Sequence, residues 1–210
     1  MFPLDILAAY LLACAIVVLS PGPDNILALS RGLSQGRMAA ALSALGAGSG
    51  IMVHTLAATF GLSVLLQTSE SAFWAVKTVG ALYLLWLGFK ALRSRSLISF
   101  AAAEHLPLRK VFAVGLLSNV LNPKPGLFVL AFLPQFVSAG RGPVATQMLV
   151  YGAIFAVLTT IVFTILGSCA SQLAGWLSRK PRVVFGLNIG AGLIFITAGL
   201  SVLTLRTKTA

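Results

Sequence analysis

Leu19-Ser20-Pro21-Gly22-Pro23-Asp24-Asn25 and, later in the chain, Leu121-Asn122-Pro123-Lys124-Pro125-Gly126 are the two stretches that decide the fold. Each interrupts an apolar run with two prolines one residue apart. Proline has no N–H, and its ring clashes with the carbonyl four residues back, so a helix has to stop and restart at both places. Each break falls late in the first apolar segment of one half of the chain. Gly80-Ala81 and Gly190-Ala191 match in the same way, in the last segment of each half. Three segments per half is an odd number, so the second half can correspond to the first only if it is inverted across a membrane. Secondary transporters use this arrangement, and their interrupted helices mark the binding site. Two unrelated proline kinks would leave the same residues without a repeat.

The surrounding composition calls for lipid as solvent. Of 210 residues 58% are hydrophobic and only 9% charged, with a mean hydropathy of +0.98, against about 45–50% and 25% in soluble domains. Six apolar segments follow: about Leu4–Leu19, Met38–Leu66, Ala72–Leu92, Val111–Val137, Val144–Ala170 and Val183–Leu205. The first rises only about 24 Å, short of the roughly 30 Å hydrocarbon core. Ile26–Leu29 is therefore expected to complete the crossing, which puts the Pro-Gly-Pro break at membrane depth. The expected fold is an all-α membrane protein of about six spans in two inverted three-helix halves, 1–95 and 109–208, joined by a cytoplasmic linker, 96–108. A five-span version with a re-entrant first segment is the alternative.

A net charge of +11 raises the question of nucleic acid, but the bases cluster in alternate connections. Arg31 and Arg37, then Lys90, Arg93, Arg95, Arg109 and Lys110, then Arg179, Lys180 and Arg182 face only Arg141, Arg206 and Lys208 on the other side. This is the positive-inside pattern, with loops one, three and five cytoplasmic and both termini outside. No nucleic-acid partner is expected. No base precedes the first apolar segment, so that segment is expected to be retained rather than cleaved. Cys14 and Cys169 form no CxxC pair and read as small core residues.

Charges at membrane depth cost about 2.5–3.5 kcal/mol on insertion scales and need a reason. Asp24 and Lys124 each lie beside a break. Freed carbonyls with Asp24 suit an ammonium, and free N–H groups with Lys124 suit a carboxylate, so together they suit a zwitterion. Asp24 could equally N-cap the helix resuming at Asn25, and Lys124 could snorkel to the interface. Asn25, Asn119 and Asn122 offer neutral hydrogen bonds in the same region. Gly46-x3-Gly50-x3-His54 puts two glycines and a histidine on one face, which allows close helix approach and makes His54 a proton-relay candidate beside Asp24. His54 could instead be a neutral cross-helix hydrogen-bonding group. Tyr83, in Gly80-Ala81-x-Tyr83-Leu84-x2-Leu87-Gly88, could line a cavity or join an interfacial belt.

Four acids in the whole chain cannot build a multi-carboxylate metal cage. HExxH, GxSxG and Walker motifs are missing. No metal, no cofactor and no enzymatic activity is expected.

Taken together, Ser20-Pro21-Gly22-Pro23-Asp24, the Gly46, Gly50 and His54 motif, the Gly80–Gly88 motif, Asn122-Pro123-Lys124 and Pro134-Gln135-Phe136 resemble, in order and spacing, the LysE/RhtB amino-acid exporters. The resemblance runs over essentially the whole chain. It implies a bacterial inner-membrane exporter of amino acids such as threonine, homoserine, leucine or lysine, driven by an ion or proton gradient. A homo-oligomer in the lipid bilayer is implied with it, and alternating access around a midplane site at the two breaks is the mechanism expected from the inverted halves. Asp24 is one of several residues that family members carry after the Pro-Gly motif, and Pro125 replaces the Ser or Ala often found after Asn-Pro-Lys. The scarcity of acids tilts the expected substrate towards neutral amino acids. Transport of another solute or a metal cation, and a non-transporting membrane subunit, are the alternatives.

Overall fold

The computed structural model describes residues 2–20, 22–68, 70–93, 104–170, 172, 176 and 179–204. Pro21, one of the expected break residues, and most of the expected linker lie outside them. The described chain is built from helices: α1 (Leu4–Leu19), α2 (Pro23–Thr68), α3 (Glu70–Arg93), α4 (Leu108–Leu121), α5 (Pro123–Leu127), α6 (Val144–Ser168) and α7 (Pro181–Thr204). Between α5 and α6 the chain widens into a π turn at Phe128–Phe132 and tightens into a 3-10 turn at Leu133–Phe136. Pro134 has no N–H to return to the turn above it, so regular α-helix cannot continue there. Val144–Ser168 is long and apolar enough to cross a membrane on its own, and Leu108–Leu121 with Pro123–Phe136 is long and apolar enough only as a pair, bent by 52° at the break into a broken span or a re-entrant loop.

α2 is not one span. Gly36 has φ 78° and ψ −169°, backbone open essentially to glycine alone. An unbroken helix would hold Ala28 and Ala40 about 18 Å apart, yet both approach Gly167 of α6, as does Gly32. The chain therefore reverses at Gly36, giving a first arm, 23–35, and a second arm, 37–68. This corrects the expected first loop. Helix continues past Leu29 through Arg31, which is only 5% exposed. Its guanidinium donates to Glu104 O and to Gln35 Oε1 at 2.9 Å. Gln35 in turn donates to Leu106 O at 2.8 Å and accepts from Leu106 N. These backbone partners let a polar stretch stay helical and pin the connector before α4 to the turn. Gly36→Ala should cost about 1–3 kcal/mol through strain, read as a lower melting temperature in detergent.

The second arm of α2 packs between α4 and α6. A Cβ on Gly46 would come within 2.7 Å of Leu116 N, and one on Gly50 within 2.7 Å of Asn119 Cβ. The glycines thus do bring α2 against α4. On the other side Thr55 meets Gly152, and Thr160 meets Gly48. α3 and α7 pair through Gly88 against Ile196 and Gly199 against Leu85, while Gly80 rests on Ala131. At Gly190, its expected counterpart, an added Cβ would meet nothing within 4 Å among the described residues. An aromatic cluster of Tyr10, Phe128, Phe136, Tyr151 and Phe155 closes the end away from Gly36, with Tyr10 Oη donating to Tyr151 O at 2.8 Å. Cys14 is buried as expected. Cys169 is exposed at the C-terminus of α6, where the helix has already ended and no core surrounds it.

Candidate functional site

The two breaks face each other, and each supplies what the other lacks. At the first, α1 ends at Leu19 and helix restarts at Pro23. The carbonyls of Val18 and Ser20, cut off from the helix ladder, are taken by side chains: Asn25 Nδ2 donates to Val18 O at 2.6 Å, and Lys124 Nζ to Ser20 O at 2.7 Å. At the second, Pro123 cannot donate to Asn119 O. That carbonyl accepts from Asn122 N at 3.0 Å and from His54 Nε2 at 3.1 Å, so Nε2 carries the imidazole proton. Asn122 Oδ1 caps the restarting helix by accepting from Lys124 N at 3.0 Å.

Asp24 joins the two. Its Oδ1 accepts from Ser118 Oγ at 2.9 Å, and its Oδ2 from Asn119 Nδ2 at 2.7 Å and Asn122 Nδ2 at 3.0 Å. It is 6% exposed and Lys124 is 8% exposed. Asp24 therefore does not act as an N-cap: it sits inside the first turn of α2, and the hydrogen bonds to its carboxylate come from α4 and its break. Lys124 does not snorkel: it is buried, its ammonium aimed at the opposite break. Asp24 and Lys124 line the same small cavity. The remaining space is a cavity of about 10 Å³ lined by Val17, Val18, Ile51, Phe155, Thr159 and Phe163, with Asp24, Asn119, Lys124 and Pro125. That is roughly the room one water needs, so an amino acid enters only if the breaks separate.

Of the residues singled out in the sequence, Asp24, Asn25, Asn119, Asn122, Lys124 and His54 come together here, with Gly22, Pro23, Pro123 and Pro125 forming the breaks. His54 also lies against Gly126, where a Cβ would be 2.8 Å from the imidazole Cε1. Tyr83 is not part of the site: it lies half-buried on α3 against Trp86, ring centroids 5.4 Å apart. Ser118 and Thr159 were not singled out. Ser118 was legible in part, because Ser118, Asn119 and Asn122 fall on one helical face. Among the described residues no group of three or more His, Cys, Asp or Glu converges as a metal site would require.

Comparison with known proteins identifies the family. A family model described as LysE type translocator matches residues 15–206. The homoserine/homoserine lactone efflux protein of Salmonella typhi is 31% identical over 192 residues, covering 91% of this chain and 92% of that one. An uncharacterized membrane protein of Bacillus subtilis is 30% identical over 208 residues, covering 93% and 99%. The leucine efflux protein of Enterobacter sp. (strain 638) is 28% identical over 191 residues, covering 89% and 90%. No solved structure was found to match.

Proposed function

The chain belongs to the LysE type translocator family of multi-pass membrane transporters, and on that premise we propose that it exports a neutral amino acid from the bacterial cytoplasm by alternating access at the facing breaks. The observation that carries the reading is the reciprocal bridging of the breaks by one buried acid and one buried base. Asp24, held by the donors of Ser118, Asn119 and Asn122, offers a place for an α-ammonium. Lys124, held by Ser20 O, offers a place for an α-carboxylate. In the closed arrangement the protein's own amides and carbonyl stand where the substrate's two charged groups would be. Loading exchanges these internal partners for the substrate, which makes separation of the breaks possible without leaving either charge bare. Homoserine and leucine, named in two relatives, are the first candidates; one acid beside one base balances a neutral zwitterion rather than a cationic one.

In this reading export is driven by a proton or ion gradient. Asp24 can take a proton when its amide partners leave, and His54, which bonds the same residue Asn119, is the candidate to exchange that proton directly once the breaks separate. The bilayer is the solvent, and a homo-oligomer is part of the proposal. The test is efflux from proteoliposomes loaded with mixed amino acids, followed by mass spectrometry with and without an imposed pH gradient. Selective loss of one or two neutral amino acids, accelerated by the gradient, is expected. Correctly inserted protein that releases no amino acid would overturn the proposal, as would release that ignores every imposed ion gradient for the coupling.

A further inference from the structure

We propose that Thr159 is a specificity-determining residue whose hydroxyl receives the polar end of the substrate's side chain, so that the site favours hydroxyl-bearing over aliphatic amino acids of the same shape. The inference rests on the amino-acid export reading above. It starts from an anomaly among the helical threonines. Thr55 donates to Ile51 O at 2.8 Å, Thr59 to Thr55 O at 2.7 Å and Thr160 to Ala156 O at 2.9 Å. Each satisfies its hydroxyl on its own helix, as buried helical threonines commonly do. Thr159, next to Thr160 on α6, does not. It is 2% exposed, and among the described residues its Oγ1 has no hydrogen-bond partner. Buried hydroxyls are almost always paired, and one left unpaired is costly enough to need a reason.

The reason lies in what surrounds it. Thr159 lines the same cavity as Asp24 and Lys124, between Phe155 and Phe163 one turn to either side on α6. Across from it Val17, Val18 and Ile51 complete the wall. The cavity therefore has a charged side, suited to the α-ammonium and α-carboxylate, and a hydrocarbon side containing a single hydroxyl. With both backbone charges accounted for, the group left to meet Thr159 is the substrate's side chain. A hydroxyl both donates and accepts, so it pairs with another hydroxyl and gains nothing from a methyl group. A site that presents a buried hydrogen-bonding group discriminates against analogues that leave it unpaired.

The test uses isosteric substrate pairs, homoserine with norvaline and threonine with valine, in proteoliposomes of the wild type, Thr159→Val and Thr159→Ser. The wild type is expected to export the hydroxyl member of its better pair with roughly tenfold higher kcat/KM or more. Thr159→Val should bring that ratio close to one, mainly by slowing the hydroxyl substrate, while Thr159→Ser keeps the preference. Thermal stabilisation of detergent-solubilised protein by homoserine against norvaline gives a second reading that needs no transport. Thr159→Ala carries the same comparison if the valine variant does not fold. A wild type that exports both members equally, or a Thr159→Val protein that keeps the wild-type ratio, overturns the role of Thr159 and leaves export standing. A wild type that releases neither member of either pair overturns the role of Thr159; export itself falls only if the mixed amino-acid load is not released either.

Discussion

Asp24→Asn is expected to abolish amino-acid efflux and to lower the stability of the folded protein at once, for one electrostatic reason. The Asp24 carboxylate is the acceptor for Ser118, Asn119 and Asn122 and the acid that lines one cavity with the Lys124 ammonium. An asparagine presents an NH₂ group where two amide NH₂ donors already point, and it leaves a buried ammonium without compensation. Removing one member of a buried charge pair costs up to about 3–5 kcal/mol. Asp24→Asn combined with Lys124→Met removes both charges and should recover most of that stability, because neutral replacements of a buried pair are often tolerated. It should not recover efflux, since neither end of the zwitterion then has a partner. Melting in detergent and efflux from proteoliposomes separate the two effects. Wild-type efflux in Asp24→Asn would remove Asp24 from the mechanism. Recovered efflux in the double variant would reduce the pair to a structural device.

The breaks were legible because a missing N–H is a covalent fact of proline, independent of what packs nearby. What the freed carbonyls do was not. Ser20 O meets Lys124, and Asn119 O meets His54, only because α4 and its break lie against α1 and α2. From the sequence, snorkelling and holding a carboxylate at the break were both open to Lys124, since both use the same long aliphatic stem, and the bridge to Ser20 O was not visible. Arg31 shows the opposite failure. In a polar stretch holding Gly32 and Gly36 it reads as a loop base. The backbone oxygen that receives its guanidinium belongs to Glu104, which periodicity cannot see. Apolar runs also hide departures from α-geometry: Phe128–Phe132 looks the same whether it winds as α or π. Thr159 was silent for a similar reason. Only the contrast with Thr55, Thr59 and Thr160, whose hydroxyls are all satisfied, sets it apart.

Gly32→Ala is expected to be the most damaging glycine-to-alanine change among the described residues, though Gly32 lines no part of the cavity. Gly32 lies against the backbone of Gly167, which also meets Ala28 from the first arm of α2 and Ala40 from the second. An added Cβ would fall within contact distance of Gly167 O and 2.6 Å from its carbonyl carbon. The obstacle is main chain, so no rotamer change relieves it. Either the first arm or α6 has to move. The first arm carries Asp24 two turns before Gly32, and α6 carries Thr159 two turns before Gly167, so a wedge at this point separates the two walls of the site. Overpacking of this kind costs about 1–3 kcal/mol and sometimes more, a fall of roughly 3–10 °C in melting temperature for a chain of this size. Efflux should fall with it. Gly61→Ala is the control: Gly61 is helical, an added Cβ there would meet nothing within 4 Å among the described residues, and alanine should be neutral or stabilising by roughly 0.5–1 kcal/mol. Equal melting temperatures for the two variants would mean that the first arm and α6 do not approach so closely, and the reversal at Gly36 would lose its main support.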